Sequence, residues 1–385
     1  MLRFLTAGES HGKGLVVVVE GLPAGLSVTA EDIASELARR RLGYGRGPRM
    51  RFEADELTLL GGVRHGRTLG SPVAIEVGNS EWPKWTEEMS PAPGHTGKPL
   101  TQPRPGHADL AGMQKYDLDE SRDVLERASA RETAARVAAG AVCKLLLRQL
   151  GTEIVSHVVQ MGPVVSKAGR RPQPGDLAAV DESPVRCFDP GTEAEMIETV
   201  KAAARDGDSL GGAAEVIAYG VPVGLGSHVH WDRKIDALLA LALMSIHAVK
   251  AVEIGEGIEV AGLRGSAAHD PIGWDPATGS YTRASNHAGG VEGGITNGEP
   301  VYARCYMKPL STLNRPVLKT VDTVTKEETV SFKERTDHTA VPAMGVVAET
   351  MMAWVLAAES LRKFGGDSVR EVVRNRDAYL ASLRA

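Results

Sequence analysis

The sequence predicts a mixed α and β fold. Short β-branched runs bounded by glycine, proline or polar clusters alternate along it with longer segments that carry apolar residues at helical spacing. The chain has 385 residues, of which 42% are hydrophobic and 24% charged, the composition of an ordinary globular protein with enough apolar material for a sizeable core. The alternation by itself leaves parallel and antiparallel arrangements equally open.

The elements follow in order. Gly8-Glu9-Ser10-His11-Gly12 sets a serine and a histidine between glycines at the mouth of a strand from Leu15 to Glu20. Thr29 and Asp32 form a capping box that starts a helix continuing through Leu37 to about Arg41. Val73 to Val77 is the next strand. Gly78 to Gly106 then holds six prolines together with Trp82 and Trp85, and a connection of that length without structure of its own is expected to be a lid or a binding loop. Leu118 to Leu150 reads as one long helix, Glu153 to Val159 and Ala214 to Val221 as strands, and Trp231 to Val249 as a helix that becomes apolar nearly all round. Pro271 to Pro300, with seven glycines, suits backbone wrapped round a ligand, though a flexible surface loop would look the same. The last strong helix runs from about Pro342 to Phe364 and stops at Gly365-Gly366.

Charge narrows the function. With 44 Lys plus Arg against 49 Asp plus Glu, the formal net charge is −5, and nothing global favours nucleic acid or an anionic membrane as partner. The first residues, MLRFLTAGES, lack the apolar core of a signal peptide, and no apolar run reaches the roughly 18 residues of a membrane span, so a cytoplasmic location is expected. Cys143, Cys187 and Cys305 are scattered and odd in number, which favours buried free thiols. His228 and His230 would share one strand face, but no third ligand is spaced to join them, and no metal is expected. His65, His95, His157 and His269 read as surface or structural histidines.

Two arginine groups stand out. Arg39, Arg40, Arg41, Arg46, Arg49 and Arg51 fall within thirteen residues, and guanidinium forks match carboxylate and phosphate, so a small polyanion is the natural partner. An RNA backbone would use the same residues, but only Tyr44 and Phe52 are at hand for stacking. Neither GxxxxGK[ST] nor a strand-borne GxGxxG occurs. In Glu126-Arg127-Ala128-Ser129-Ala130-Arg131-Glu132-Thr133, the two arginines stand at i and i+4 and would share a helix face, with Ser129 among small alanines. A solvated face with Glu126 and Glu132 as salt partners is the plain alternative.

These pieces together resemble one family. GESHG with the strand and Glu20-Gly21-Leu22-Pro23 after it, PRPGHAD, RASARET with Val137 and Gly140, SNHAGG, and Lys308-Pro309-Leu310-Ser311-Thr312 follow, in order from about residue 3 to 365, the pattern of the chorismate synthases. The resemblance implies a single α+β domain over 1–385 in which two antiparallel sheets form a sandwich surrounded by helices, with long active-site loops at about 78–112 and 271–300. It implies a lyase that removes phosphate from 5-enolpyruvylshikimate 3-phosphate in a 1,4-anti sense to give chorismate. The cofactor implied is reduced FMN, with NADPH involved only indirectly through a separate flavin reductase, and the assembly implied is a homotetramer.

By motif, His11 resembles the histidine that protonates the departing phosphate, and His107 the one that protonates or hydrogen-bonds the reduced flavin. An imidazole suits both tasks at neutral pH. Asp337 resembles the acid near the flavin N5, although Thr336 and His338 beside it depart from the usual pattern. Ser10 and Ser129 resemble serines that orient groups or relay protons. Arg40, Arg46, Arg49, Arg104 and Arg131 match the arginines that face substrate. Arg127, Ala128 and Ser129, His247 with Ala248, Gly293, Lys308, Pro309, Leu310, Ser311, Thr312 and Arg335 match segments that hold FMN, and only this match sets His247 apart from a core histidine on an apolar helix.

Two other classes share parts of the pattern. A phosphotransferase would use the arginines but needs acidic ligands for Mg²⁺, which no motif supplies. An RNA-binding module needs aromatic platforms, and aromatic residues are 4% of the chain.

Overall fold

The computed structural model describes residues 1–46, 56–94, 97–167, 169–332 and 336–383. Its first sheet contains β1 (Arg3–Ala7), β2 (Gly14–Glu20), β3 (Leu57–Gly61) and β4 (Val73–Gly78), in the order β1-β2-β4-β3 with every neighbour antiparallel. Alternation decides which face is buried. Leu15, Val17 and Val19 stand opposite Val77, Ile75 and Val73, all inside, while Leu5 and Val18 on the other face are exposed.

The second sheet contains β5 (Glu153–Met161), β6 (Val164–Val165), β7 (Gly212–Tyr219), β8 (Val249–Ile254) and β9 (Val301–Met307), in the order β8-β9-β7-β5-β6, again antiparallel throughout. The helices used below are α1 (Ala30–Arg40), α2 (Asp109–Tyr116), α3 (Arg122–Ala128), α4 (Thr133–Gln149), α5 (Pro190–Asp206), α6 (Ile235–Met244), α7 (Val341–Phe364) and α8 (Val369–Ser382).

The core lies between the sheets. α4 packs on β2 and β4 and, on its other side, on α7, and α7 covers β5 and β7. Gly140 makes that helix pair possible, since a Cβ there would come within 2.2 Å of the Thr350 Cβ. The expected picture of two packed sheets with helices around them is therefore corrected: helices fill the space between the sheets. α7 is long and apolar enough to cross a bilayer, but 89% of its apolar window is buried inside the fold, which is how a central core helix reads.

Local structure departs from expectation at three places. The single helix over 118–150 is broken: α3 ends at Ala128, Ser129 is extended with φ −66 and ψ 141, and its side chain accepts from Arg131 N to start a short 3₁₀ turn before α4. The apolar helix of 231–249 is one 3₁₀ turn followed by α6, which stops at Met244; Ser245 Oγ bonds back to Ala242 O, and Arg136 Nη1 donates to Ser245 O. His247 thus sits in a turn and not on a helix. Pro271 to Pro300 folds on itself, with Ile272–Asp275 paired to Ser280–Arg283 and Val291–Glu292 to Ile295–Thr296. His228 and His230 lie in a bend, not on a strand, and α5 and α8 are helices that the sequence reading leaves unassigned.

Candidate active site

The β1–β2 connection presents His11. Gly8 takes φ +103, where a Cβ would stand 2.3 Å from Gly14 O, so only glycine closes this turn. Asn79 Nδ2 donates to Ser10 O at 3.2 Å and Gly12 O at 2.9 Å, and Ser10 N donates to Glu126 O at 2.9 Å, which ties the loop to β4 and α3. Glu126 then takes both donors of His11: the backbone N–H to Oε2 at 2.8 Å and Nδ1 to Oε1 at 2.9 Å. Burial pulls the Glu126 carboxyl upward, but the bonds from His11 and from Arg122 outweigh it, and the group lies below the ordinary carboxylate range. Trp85 stacks on the imidazole, with ring centroids 3.9 Å apart and planes 27° from parallel.

His107 is built in a similar way. Its Nδ1 meets Asp109 Oδ1, and Arg104 binds the same fully buried carboxylate through Nε to Oδ2 at 2.8 Å and Nη2 to Oδ1 at 3.1 Å. Burial works against the Asp109 charge, yet the bonds from His107 and Arg104 hold its carboxyl well below the ordinary range. Arg104 Nη1 also donates to Thr312 Oγ1 at 3.1 Å, joining this loop to the 308–312 segment.

These groups open on one cavity of about 1020 Å³. Ser10, His11, Arg40, Arg46, Arg104, His107, Ala128, Ser129, Arg131, His247, Ala248, Lys308, Leu310, Ser311, Thr312 and Asp337 all line it. Ser129 Oγ donates to Ser10 Oγ at 3.1 Å, so the two serines form a short hydroxyl pair beside His11. Arg46 Nη1 and Asp337 Oδ2 form an ion pair at 2.9 Å. Lys308 Nζ donates to Gly106 O at 2.9 Å, and burial, helped by the neighbouring Lys250 charge, draws the ammonium below its ordinary value. The described lining carries eight arginines and lysines against three carboxylates, Glu81, Glu88 and Asp337, which suits an anionic occupant.

Other expected residues fall elsewhere. Arg39 turns away from the cavity into a buried cluster with Glu349, Glu36 and Asp181. Arg127 and Arg131 do not share a face, because the break at Ser129 separates them: Arg127 Nη1 donates to Gly8 O at 2.9 Å away from the cavity, while Arg131, in the cavity wall, donates from Nη2 to Gly78 O at 2.9 Å. Pro309 lies in the lining segment without itself lining the cavity. Gly293 lies in the turn between Val291–Glu292 and Ile295–Thr296, and no described residue of 271–300 lines the cavity. There Asp270 accepts from His287 N, Ala288 N and Ser285 Oγ, so this segment's polar groups serve its own turns. Arg49, Arg51, Arg335 and His95 lie outside the described residues.

The wall also has features that suit a flavin phosphate and ring. His247 Nδ1 is buried with no hydrogen-bond partner among the described residues, and burial leads among the causes that lower the basicity of this ring. Ala248 has φ +65, a left-handed conformation that a residue with a Cβ seldom adopts, directly in the wall. With the hydroxyls of Ser311 and Thr312 and the Lys308 ammonium beside them, the residues present fit FMN, and the volume leaves room for a second small anion.

Sequence reasoning missed the groups that hold the histidines. Glu126 and Asp109 are buried acids two to four residues from a basic partner, Arg122 at i−4 and His107 at i−2, and that spacing was the available signal. Trp85 was legible only as part of the expected binding loop, because its contact with His11 spans more than seventy residues of chain.

Comparison with known proteins gives one answer. Residues 2–361 match the family model described as chorismate synthase. Curated chorismate synthases of Thermobifida fusca and Salinispora tropica are 60% and 59% identical to this chain, over 100% of it and 99% of each relative. A solved structure described as a crystal structure of chorismate synthase shares 41% identity and a TM-score of 0.80, covering 100% of this chain and 98% of that one.

Proposed function

The chain belongs to the chorismate synthase family and is a lyase, and from this premise we propose that it performs the 1,4-anti elimination of phosphate from 5-enolpyruvylshikimate 3-phosphate to give chorismate, with reduced FMN required and no net redox change. The observation that carries this reading is the pair of imidazoles, His11 and His107, each bound through Nδ1 to a buried carboxylate at the edge of one strongly basic cavity. The substrate brings two carboxylates and a phosphate, and Arg40, Arg46, Arg104 and Arg131 are the groups that would bind them.

His11 would give a proton to the phosphate as its bond to the ring carbon breaks, the step at which a general acid gains most. Ser10 and Ser129, hydrogen-bonded to each other, would order the groups round it. His107 would hold or donate a proton at the cofactor's reduced ring, and Asp337, fixed by Arg46, would accept the proton that accompanies loss of the ring hydrogen. His247, Ala248, Lys308, Ser311 and Thr312 would hold FMN. Reduced FMN held by these residues would be a source of electron density for the substrate without being consumed. The loop around Trp85 would exclude water.

We also assign the chain to a homotetramer of the cytoplasm served by a separate NADPH-dependent flavin reductase. The exposed Leu241, Trp231, Trp274 and Tyr281 are apolar surface that an assembly would cover, and three free cysteines suit a reducing compartment. Optical titration tests the site: FMN together with substrate should perturb the flavin spectrum and FMN with inorganic phosphate should not. An unchanged spectrum with both would sink the reading.

A further inference from the structure

We propose that Glu126 is a positioning residue that fixes the tautomer of His11, holding the neutral ring's proton on Nδ1 so that Nε2 is the nitrogen that takes up and releases the mobile proton. The inference rests on the reading of His11 as a proton donor and adds the residue that makes it one.

The argument is one of donors and acceptors. Glu126 Oε2 accepts from the His11 backbone N–H at 2.8 Å and lies 3.1 Å from His11 Nδ1, and Oε1 faces Nδ1 more closely, at 2.9 Å, together with Arg122 Nη1 at 3.1 Å. A backbone amide and a guanidinium can only donate, and an ionised carboxylate can only accept. The imidazole is the one partner able to play either part, and the carboxylate forces Nδ1 to be its donor. Ionisation is secured by the same contacts. Glu126 is buried, its carboxyl lies below the ordinary range, and its own carbonyl accepts from Ser10 N, so one residue of α3 grips the loop at three points. Trp85 stacked on the ring, with the Arg122 guanidinium 5.3 Å from the indole centroid, opposes rotation of the imidazole out of that arrangement.

Glu126→Gln is the informative change, because an amide of the same shape has one acceptor and one donor. Its oxygen stays with the backbone N–H, a donor fixed by the loop, and the Arg122 side chain, which also can only donate, must turn away from the NH₂ that replaces Oε1. The amide NH₂ then holds the position nearer Nδ1, 2.9 Å against 3.1 Å for the retained oxygen, which favours Nδ1 as the acceptor and moves the ring proton to Nε2. A carboxylate-to-amide change that reverses an imidazole tautomer in this way costs about 10⁴ in turnover in a serine protease triad.

The test joins turnover to ¹⁵N NMR of histidine-labelled protein at a pH where the ring is neutral. Wild type should show His11 as the Nδ1–H tautomer. Glu126→Gln should show Nε2–H and a kcat lower by roughly 10²- to 10⁴-fold, with KM for 5-enolpyruvylshikimate 3-phosphate within a few-fold. Glu126→Asp, which keeps an acceptor-only group, should recover much of the loss and the wild-type tautomer. Predominant Nε2–H in the wild type overturns the proposal without need of any variant, and so does Glu126→Gln with kcat and tautomer unchanged. His11→Asn assayed alongside separates the two claims: if it loses turnover while Glu126→Gln does not, only the positioning role fails. If His11→Asn retains full turnover, the reading of His11 fails and takes this proposal with it.

Discussion

Arg39 and Glu349 meet in a two-point contact inside the protein, Arg39 Nη1 donating to Oε2 at 2.7 Å and Nη2 to Oε1 at 2.9 Å. Glu349 is fully buried on α7, and Lys144 of α4, Ser156 of β5 and Arg186 converge on the same carboxylate. Burial alone would raise this group, but the charges of Arg39, Lys144 and Arg186 hold it well below the ordinary range. The cluster therefore fastens the last turn of α1, from which Arg40 enters the cavity, to the central helix pair.

Removing the charge should be costly. Glu349→Gln leaves Arg39 and Lys144 buried beside too little negative charge, and breaking a buried pair from one side typically costs about 3–5 kcal/mol. Denaturant unfolding should show a loss of that size, and a loss under about 1 kcal/mol would mean that the cations escape to solvent at little expense.

Acid stability should follow Glu215. Burial opposes its charge, but His157, Arg171 and Arg304 bring its carboxyl from 4.5 down to about 2 in the folded chain. A depressed acid stabilises the fold fully above its unfolded value and loses that contribution as pH falls toward the folded one. The window is from about pH 4.5 down to about 2, and the contribution is on the order of 3 kcal/mol. Urea midpoints measured across that range should fall less steeply in Glu215→Gln than in the wild type; parallel curves would contradict the assignment.

Turnover should depend on both imidazoles. His11→Ala and His107→Ala should each lower kcat by roughly 10²- to 10⁴-fold while KM stays within a few-fold. Steady-state phosphate release decides it, and two fully active variants would remove both residues from the mechanism.

The arginines should act through binding. Arg40→Lys keeps the charge but loses the planar fork, so substrate affinity should fall by about 1.5–3 kcal/mol, roughly 10- to 100-fold. Equal affinity by calorimetry would show that Arg40 serves packing alone.

Much of this was legible in sequence because the signals were local. The β-branched run of Leu15 to Val19 gave β2, the capping box of Thr29 and Asp32 gave α1, and Gly365-Gly366 marked the end of α7. Where the reading failed, a local signal competed with a stronger-looking pattern. Ser129 with Glu132 three residues on has the spacing of a helix start, yet the alanines and leucines on both sides read as one continuous helix. In 271–300 the count of glycines hid a hairpin whose Trp274 and Tyr281 face each other across the strands. Arg39 illustrates the remaining limit. Its neighbours Arg40 and Arg46 line the cavity while it neutralises Glu349, and nothing within thirteen residues of arginine-rich sequence distinguishes the two fates, because the deciding carboxylate lies 310 residues away.

The measurement closest to the central claim counts product per flavin. Enzyme with chemically reduced FMN and 5-enolpyruvylshikimate 3-phosphate, kept anaerobic and without NADPH, should release phosphate over many turnovers for each flavin present, because the electrons return when the ring hydrogen leaves. One phosphate per electron pair supplied would contradict a lyase without net redox change, and no release at all would contradict the assigned reaction.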